Sequence, residues 1–226
     1  MIPWELLGQA SVPGNEAPLT LQRRGDEYVI RIGTLALMSS AAHGSEEALA
    51  EEACARIAGR EVARVLVGGM GMGFTLAAAL RVLPPTARVI VAELVPAVLE
   101  WNRGPLADLA GRPLEDPRVE AWEGDVGERI RAGRGAYDAI LLDVDDGPDG
   151  LTRAANDSLY APACLRAAFA ALRAGGVLGV WSVAPDDGFT RRLEQVGFAV
   201  ESAVVRARRG KGGRHTLWFA TRPVRS

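Results

Sequence analysis

From Val62 onward, short apolar runs alternate with longer helical stretches along the chain. The apolar runs are rich in Val, Leu and Ile, which is typical of strands buried on both faces of a parallel sheet. Strands that alternate with helices form βαβ units, so the pattern predicts an α/β domain. The predicted strands are Arg64–Val67, Arg88–Ala92, Val119–Trp122, Tyr137–Val144 and Val177–Val183. The predicted helices are Phe74–Val82, Pro96–Ala110, Ala161–Leu172 and a last one, capped by Asp186 or Asp187, that ends at Gln195.

The N-terminal part of the chain departs from this alternation. Glycine-containing turn signals separate three short strand-like runs, Leu19–Gln22, Tyr28–Ile32 and Leu35–Met38. Such runs predict a small antiparallel β appendage, to which we assign residues 1–42. Ser45 follows as the predicted N-cap of a helix that ends at Ile57, because acidic residues in its first turn suit the helix dipole.

The C-terminal part also departs from the alternation. Two strand-like runs, Phe198–Arg206 and His215–Thr221, flank a glycine-rich turn and predict a hairpin. Five parallel strands that close with an antiparallel pair are the plan of the class I methyltransferase fold. We therefore predict an α/β, Rossmann-like class I methyltransferase fold for residues 43–226. Its sheet is expected to be mostly parallel, with a C-terminal antiparallel hairpin.

Composition narrows the functional classes. A length of 226 residues favours one domain with an appendage, and a formal charge of −2 argues against a general nucleic-acid or membrane binder. The 2 cysteines and 2 histidines match no metal-site spacing, so we predict buried thiols and no metal. No basic and apolar leader and no apolar run of about 18 residues is found, which predicts a cytoplasmic protein.

Four glycines follow the first predicted parallel strand directly. Gly68, Gly69, Gly71 and Gly73 stand between that strand and the next helix. Because glycine has no Cβ, such a turn lets the backbone approach a ligand closely, so we predict that these residues contact a cofactor. A tight strand-to-helix connection without a ligand is the alternative interpretation.

Acidic residues end the next two strands. Glu93 stands 20 residues after Gly73, where an acid in doubly wound folds accepts hydrogen bonds from the ribose hydroxyls of a cofactor. Asp125 follows the third strand and would accept a hydrogen bond from an exocyclic adenine amine. The alternative for Glu93 is an exposed glutamate at a strand end, and the alternative for Asp125 is a turn-forming Gly-Asp pair.

Three aspartates, Asp143, Asp145 and Asp146, cluster at the end of the fourth strand. Ligands of open α/β sheets bind outside the carboxyl ends of the strands, so this cluster is expected to face the binding crevice. Several carboxylates there suit a cationic amine or a sulfonium. Neighbouring acids also raise one another's pKa, so that one of them can serve as a base near neutral pH. A solvated acidic loop is the alternative.

The basic hairpin around Gly210 would suit RNA phosphates, but a solvated loop tip is favoured because no aromatic residues accompany it.

On these residues, the chain from Leu19 to Thr221 resembles the spermidine synthase family of aminopropyltransferases. The resemblance rests on the β-rich N-terminus, the glycine turn, Glu93, Gly124-Asp125 and the segment Tyr137–Asp146. It implies S-adenosylmethionine or its decarboxylated form as co-substrate, with Glu93 at the ribose and Asp125 near adenine. It also implies that Asp143 deprotonates or orients an attacking amine. Asp146, with Asp145 beside it, would hold that amine substrate.

The chain differs from the family at two places. The family's glycine motif carries an aspartate that helps hold the aminopropyl amine, whereas this chain has Gly71 there. The family's Tyr-(Gln/His)-Glu segment is absent, and residues 43–47 occupy its region. We predict an aminopropyltransferase acting on a small-molecule amine, without nucleic-acid or membrane partners and with a homodimer as one candidate assembly. A methyltransferase acting on a small molecule or RNA is the alternative, and a non-catalytic nucleotide-sensing module is a third interpretation.

Overall fold

The N-terminal residues form a four-stranded antiparallel sheet in the computed structural model, which describes residues 2–144, 158–208 and 211–224. Its strands follow one another in the order β1-β2-β3-β4. Their bounds are Glu5–Val12 (β1), Asn15–Arg24 (β2), Glu27–Ile32 (β3) and Leu35–Ser39 (β4). This confirms the predicted β appendage and adds β1, which the sequence pattern did not predict. The boundary between residues 42 and 43 stays a prediction.

A seven-stranded sheet forms the rest of the molecule, in the order β10-β11-β9-β8-β5-β6-β7. Five neighbouring strands are parallel, namely β9, β8, β5, β6 and β7. The strand β11 pairs antiparallel with both β9 and β10. The bounds are Arg64–Gly68 (β5), Arg88–Glu93 (β6), Val119–Glu123 (β7), Tyr137–Leu142 (β8), Leu172–Ser182 (β9), Ala199–Arg208 (β10) and Lys211–Thr221 (β11). The predicted class I methyltransferase topology with its C-terminal hairpin is confirmed.

Helices connect the parallel strands and cover both faces of this sheet. Their bounds are Gly44–Ala55 (α1), Phe74–Val82 (α2), Pro96–Arg103 (α3), Val126–Ala132 (α4), Pro162–Ala171 (α5) and Asp187–Val196 (α6), with a 3-10 turn at Pro113–Glu115. The helix predicted from Pro96 to Ala110 is wrong in its second half. Gly104-Pro105 ends α3 early, because the residue before a proline is pushed out of the helical region.

Two further boundaries differ from the sequence prediction. His43, rather than Ser45, is the N-cap of α1, and it makes no side-chain capping bond. The Ser45 hydroxyl instead donates to the Glu46 carboxylate at 2.6 Å. The strand β9 begins at Leu172, before the predicted Val177, and Gly175 with φ +74° accommodates an irregularity near its start.

Each face of the large sheet packs into its own hydrophobic core. Val65 and Val67 of β5 point into the core with α1, α2 and α3, whereas Leu66 points into the core with α5 and α6. This alternation follows from the period of two along a strand. Leu21 and Ile30 of the N-terminal sheet join the first core. The small sheet is therefore fixed to the α1–α3 side of the large one.

Gly8 and Trp101 bring the N-terminal sheet into close contact with α3. A Cβ built on Gly8 of β1 would lie about 2.4 Å from Trp101 Nε1 on α3, so the indole occupies the space a side chain would need. The contact brings the N-terminal sheet over the carboxyl ends of the parallel strands. A cleft is enclosed between them.

Candidate active site

This cleft has a volume of about 810 Å³. Apolar residues of the N-terminal sheet form one wall, and the glycine turn, the strand ends and the first turn of α1 form the other. The lining includes Leu19, Ile30, Met38, Glu46, Gly69, Glu93, Asp125, Asp143, Trp181 and His215. Its size and mixed lining are those of a small-molecule site.

The glycine turn connects β5 to α2 at the centre of the cleft. Gly69 and Gly71 line the cleft with φ of +88° and +50°, a region in which glycine is favoured. A Cβ on Gly69 would lie about 2.4 Å from the Asp143 carbonyl oxygen, so no larger residue fits. The backbone following β8 thus explains the glycine at position 69, and the predicted approach to a cofactor stays a prediction.

The other two predicted glycines have packing positions. A Cβ on Gly68 would lie about 3.0 Å from Val126 Cγ2, and Gly73 is the N-cap of α2 with φ +86°. Neither residue lines the cleft. Their roles as cofactor-binding residues remain predictions, whereas Gly69 and Gly71 face the space that a ligand would occupy.

Glu93 ends β6 beside the glycine turn, and its side chain is 9% exposed. One carboxylate oxygen accepts a hydrogen bond from the Met70 amide at 2.9 Å, and the other accepts from the Val95 amide at 2.8 Å. Both bonds come from backbone, so the carboxylate is held in one orientation at the cleft wall. A carboxylate offers two acceptor oxygens, which is the basis of the predicted contact with two ribose hydroxyls.

Asp125 lies between β7 and α4, at the end of the cleft where the sequence left contact with adenine or a Gly-Asp turn open. It caps α4, since its Oδ1 accepts a hydrogen bond from the Gly127 amide at 2.8 Å. Its Oδ2 lies 3.3 Å from the Arg131 guanidinium, and both residues line the cleft. The side chain is therefore fixed at the end of the cleft next to Glu93. Contact with adenine stays a prediction.

Asp143 follows β8 directly and lies half-buried at the cleft wall. Removal from water raises the pKa of its carboxyl to about 6, and a 2.5 Å hydrogen bond from the Thr75 hydroxyl opposes that rise. Thr75 stands in the first turn of α2 and is itself buried. It therefore fixes the orientation of the Asp143 carboxyl at the cleft.

Glu46 is a site residue that the sequence interpretation missed. It is buried in the first turn of α1 and lines the cleft. Burial raises the pKa of its carboxyl to about 7, and the nearby charge of Asp143 contributes to that rise. The sequence showed only an acid suited to the helix dipole. The signal available was its position within residues 43–47, where the resembled family carries a glutamate.

Two predicted site residues, Asp145 and Asp146, lie outside the described residues, and their roles stay predictions.

Among the residues described, no group of three or more His, Cys, Asp or Glu side chains is arranged to hold a metal ion. Over the same ranges, no helix is long and apolar enough to cross a membrane. In the basic hairpin, Arg206 and Arg214 stand directly opposite each other on β10 and β11.

An aromatic wall extends the cleft beyond Asp143. The rings of Trp181 on β9 and His215 on β11 stack with centroids 4.6 Å apart. Burial lowers the pKa of His215, so its imidazole is neutral at pH 7. On the opposite wall, a Cβ on Gly71 would lie about 2.7 Å from Met38 Cε, so a methionine fills the space beside that glycine.

Solved structures share this fold with the chain at low sequence identity. Spermidine synthase from Thermotoga maritima superposes with a TM-score of 0.76 and 18% identity over 97% of this chain and 74% of that one. A spermidine synthase in complex with the transition-state analogue AdoDATO gives a TM-score of 0.74 and 18% identity over 97% of this chain and 73% of that one.

A methyltransferase matches a smaller part of the chain. Precorrin-6y C5,15-methyltransferase from Geobacter metallireducens gives a TM-score of 0.55 and 17% identity over 77% of this chain and 86% of that one. No protein-family model and no curated protein matches the sequence. The likeness therefore shows a spermidine synthase-like fold of the methyltransferase class.

Proposed function

We propose that the protein is a transferase that moves the aminopropyl group of decarboxylated S-adenosylmethionine to an amine. The observation that carries the proposal is the placement of two carboxyl groups with raised pKa values, Asp143 and Glu46, in the cleft beside the glycine turn. An amine attacks carbon only when it is unprotonated, and a carboxyl with a pKa near the working pH is an effective proton acceptor.

The other end of the cleft fits an adenosyl group. Glu93 presents a carboxylate that two backbone amides hold in place, which suits a pair of ribose hydroxyls. Gly69 and Gly71 line the cleft beside this region and present backbone to it. Arg131 restrains the Asp125 carboxylate next to this region. When bound, the co-substrate would supply a sulfonium with an electron-poor carbon.

Asp143 would act directly on the acceptor amine. Asp143 accepts a proton or hydrogen bond from the amine and aims its lone pair at the carbon next to sulfur. A C–N bond forms as the C–S bond breaks, and the electron pair leaves on sulfur as a neutral thioether. Alignment supplies most of the acceleration. The carboxylates help only as far as they favour the developing ammonium over the sulfonium ground state.

The extent of the structural likeness supports aminopropyl over methyl transfer. The spermidine synthase structures match 97% of the chain, whereas the methyltransferase matches 77%. Residues of β2, β3 and β4 line the cleft, so the N-terminal sheet is part of the proposed site.

Methyl transfer from S-adenosylmethionine to a small molecule or RNA is the second candidate, and Gly71 favours it. Residue 71 contributes no carboxylate to hold a donor's amine, and Met38 fills the adjoining space. A cationic aminopropyl group would therefore rely on Asp143 and Glu46 for charge compensation.

Product analysis separates the two candidates. Purified protein is incubated with each donor and a panel of primary amines, and products are identified by mass spectrometry. The proposal expects 5′-methylthioadenosine and an aminopropylated amine from the decarboxylated donor. S-adenosylhomocysteine and a methylated product would establish the second candidate. Product from neither donor would overturn both. Glu51→Gln, an exposed position on α1, is the control that should keep wild-type turnover.

A further inference from the structure

Backbone hydrogen bonds hold the glycine turn on either side of Gly71. The Gly69 amide donates to the Ala92 carbonyl at 2.9 Å, and the Gly73 amide donates to the Met70 carbonyl at 2.8 Å. Gly71 lies between these two anchors with a φ of +50°. Because glycine moves between backbone conformations more freely than any other residue, these bonds alone leave the middle of the turn adaptable.

Asn102 of α3 contacts the turn at this point. Its side-chain amide donates to the Gly71 carbonyl at 2.9 Å and to the Val98 carbonyl, one turn earlier on the same helix, at 2.8 Å. An asparagine amide has two N–H donors, so both are used. The side-chain oxygen lies 3.1 Å from the place that a Cβ on Gly73 would take. Asn102 thus packs against two glycines of the turn.

The position of Asn102 is one where an apolar residue would be expected. Its side chain is 3% exposed and belongs to the buried face of α3. A buried amide is costly unless it is hydrogen-bonded, and the two bonds from Asn102 remove that cost. Replacement by an apolar residue would leave the Gly71 carbonyl without its side-chain partner.

Asn102 reaches the cleft only through the turn. Gly71 lines the cleft, whereas Asn102 is not among the described residues that line it. A ligand in the cleft would therefore meet the backbone of Gly71, whose carbonyl Asn102 holds from behind. Any effect of Asn102 on a ligand has to be an effect on the conformation of this backbone.

We propose that Asn102 is a positioning residue for the donor, which keeps the middle of the glycine turn in the conformation that binds the adenosyl group. The inference rests on the proposed function, in which the donor lies beside this turn. A turn that is ordered before binding costs the complex less than one that the ligand must order. Loss of the bond to Gly71 should thus weaken donor binding, although Asn102 does not touch the donor.

Calorimetry with 5′-methylthioadenosine and the variant Asn102→Leu tests the inference. Leucine keeps the approximate size of the side chain but has no donor for the Gly71 carbonyl. The Kd is expected to rise by about 3–10-fold, which corresponds to one net hydrogen bond, while the binding stoichiometry stays unchanged. A merely structural role would lower the folded fraction, and with it the stoichiometry, without changing the Kd of the molecules that remain folded.

Leu99→Val is the matched control. Leu99 is buried on the same helix and is not among the described residues that line the cleft. This variant should lose stability because a buried methylene is removed, but it should bind 5′-methylthioadenosine with the wild-type Kd. It therefore separates a general weakening of α3 from the loss of the bond to Gly71.

An unchanged Kd in Asn102→Leu overturns the inference, and so does an equal rise of the Kd in Asn102→Leu and Leu99→Val. If Asn102→Leu does not fold, Asn102→Ser, which removes the amide and leaves a smaller side chain, decides by the same criterion. Failure of the wild-type protein to bind 5′-methylthioadenosine overturns the proposed function instead, and the inference falls with it.

Discussion

The carboxyl groups of Asp143 and Glu46 occupy different positions relative to water. Asp143 is partly open to the cleft and is held by Thr75, whereas Glu46 is buried and bonded to Ser45. The pKa of Asp143 is raised to about 6 and that of Glu46 to about 7, so both carboxyl groups titrate closer to neutral pH than a solvated acid does. Asp143 is then the more ionised of the two and the better placed to take a proton from a ligand.

Asp143→Asn is expected to lower the rate of group transfer by roughly 10²–10⁴-fold while the affinity for 5′-methylthioadenosine changes little. The amide keeps the shape of the side chain but can neither accept a proton nor carry negative charge. Single-turnover kinetics measures the first quantity and calorimetry the second. In the wild type, the rate should fall below about pH 6, where Asp143 becomes protonated. An equal loss in both quantities would mean that Asp143 serves binding rather than the reaction.

Glu93→Ala is expected to weaken binding of 5′-methylthioadenosine by on the order of 1.5–3 kcal/mol, the cost of losing a hydrogen bond to a charged group. Stability should fall as well, because the Met70 and Val95 amides lose their acceptor. Binding is therefore measured by calorimetry well below the unfolding temperature. Glu123→Ala is the matched control, since Glu123 pairs with Glu93 in the sheet but is exposed outside the cleft. Equal affinity of both variants for 5′-methylthioadenosine would show that Glu93 does not bind the ribose.

At the scale of elements, hydrophobic periodicity predicted the parallel strands well because central ones such as β5 and β8 are buried on both faces. It did not predict β1, whose sequence includes Gly8, a residue explained only by the Trp101 ring that lies against it. It also missed Glu46, since an acid in the first turn of a helix has a sufficient local explanation in the dipole. Long-range contacts decide both cases, and a pattern along the chain does not contain them.

The glycine turn illustrates the same limit and allows a direct test. Gly69→Ala should destabilise the fold by about 2–3 kcal/mol, because its Cβ would meet a backbone carbonyl at positive φ. Gly71→Ala should cost only about 1 kcal/mol, since its Cβ meets the end of the flexible Met38 side chain. Urea unfolding measures both. Gly59→Ala, with no atom near its Cβ, is the control. Equal losses at positions 69 and 71 would contradict this account of the turn.

At the scale of the whole molecule, the two sheets share one core and enclose the cleft between them. Leu21 and Ile30 of the N-terminal sheet pack with α1–α3, and Glu46 of α1 and Asp143 after β8 both line the cleft and interact electrostatically. The sequence and the resemblance named candidate residues on the large sheet, whose roles stay predictions. They did not name Glu46, because the separation of Glu46 from Asp143 along the chain carries no information on their contact.

The free energy of unfolding should depend on pH through the Glu46 carboxyl. Its pKa is about 7 when folded and 4.5 ordinarily, so the folded state binds more protons between those values. The free energy of unfolding therefore declines as pH rises through that window. Glu46→Gln removes the ionisation and should stabilise the protein at pH 8 by about 2 kcal/mol, or about 4–8 °C in Tm, with a smaller gain at pH 5. Thermal unfolding at the two pH values measures both gains, with exposed Glu51→Gln on the same helix as the control. A gain that is absent at pH 8, or equal at both pH values, would show that the folded state does not disfavour the ionised form of Glu46.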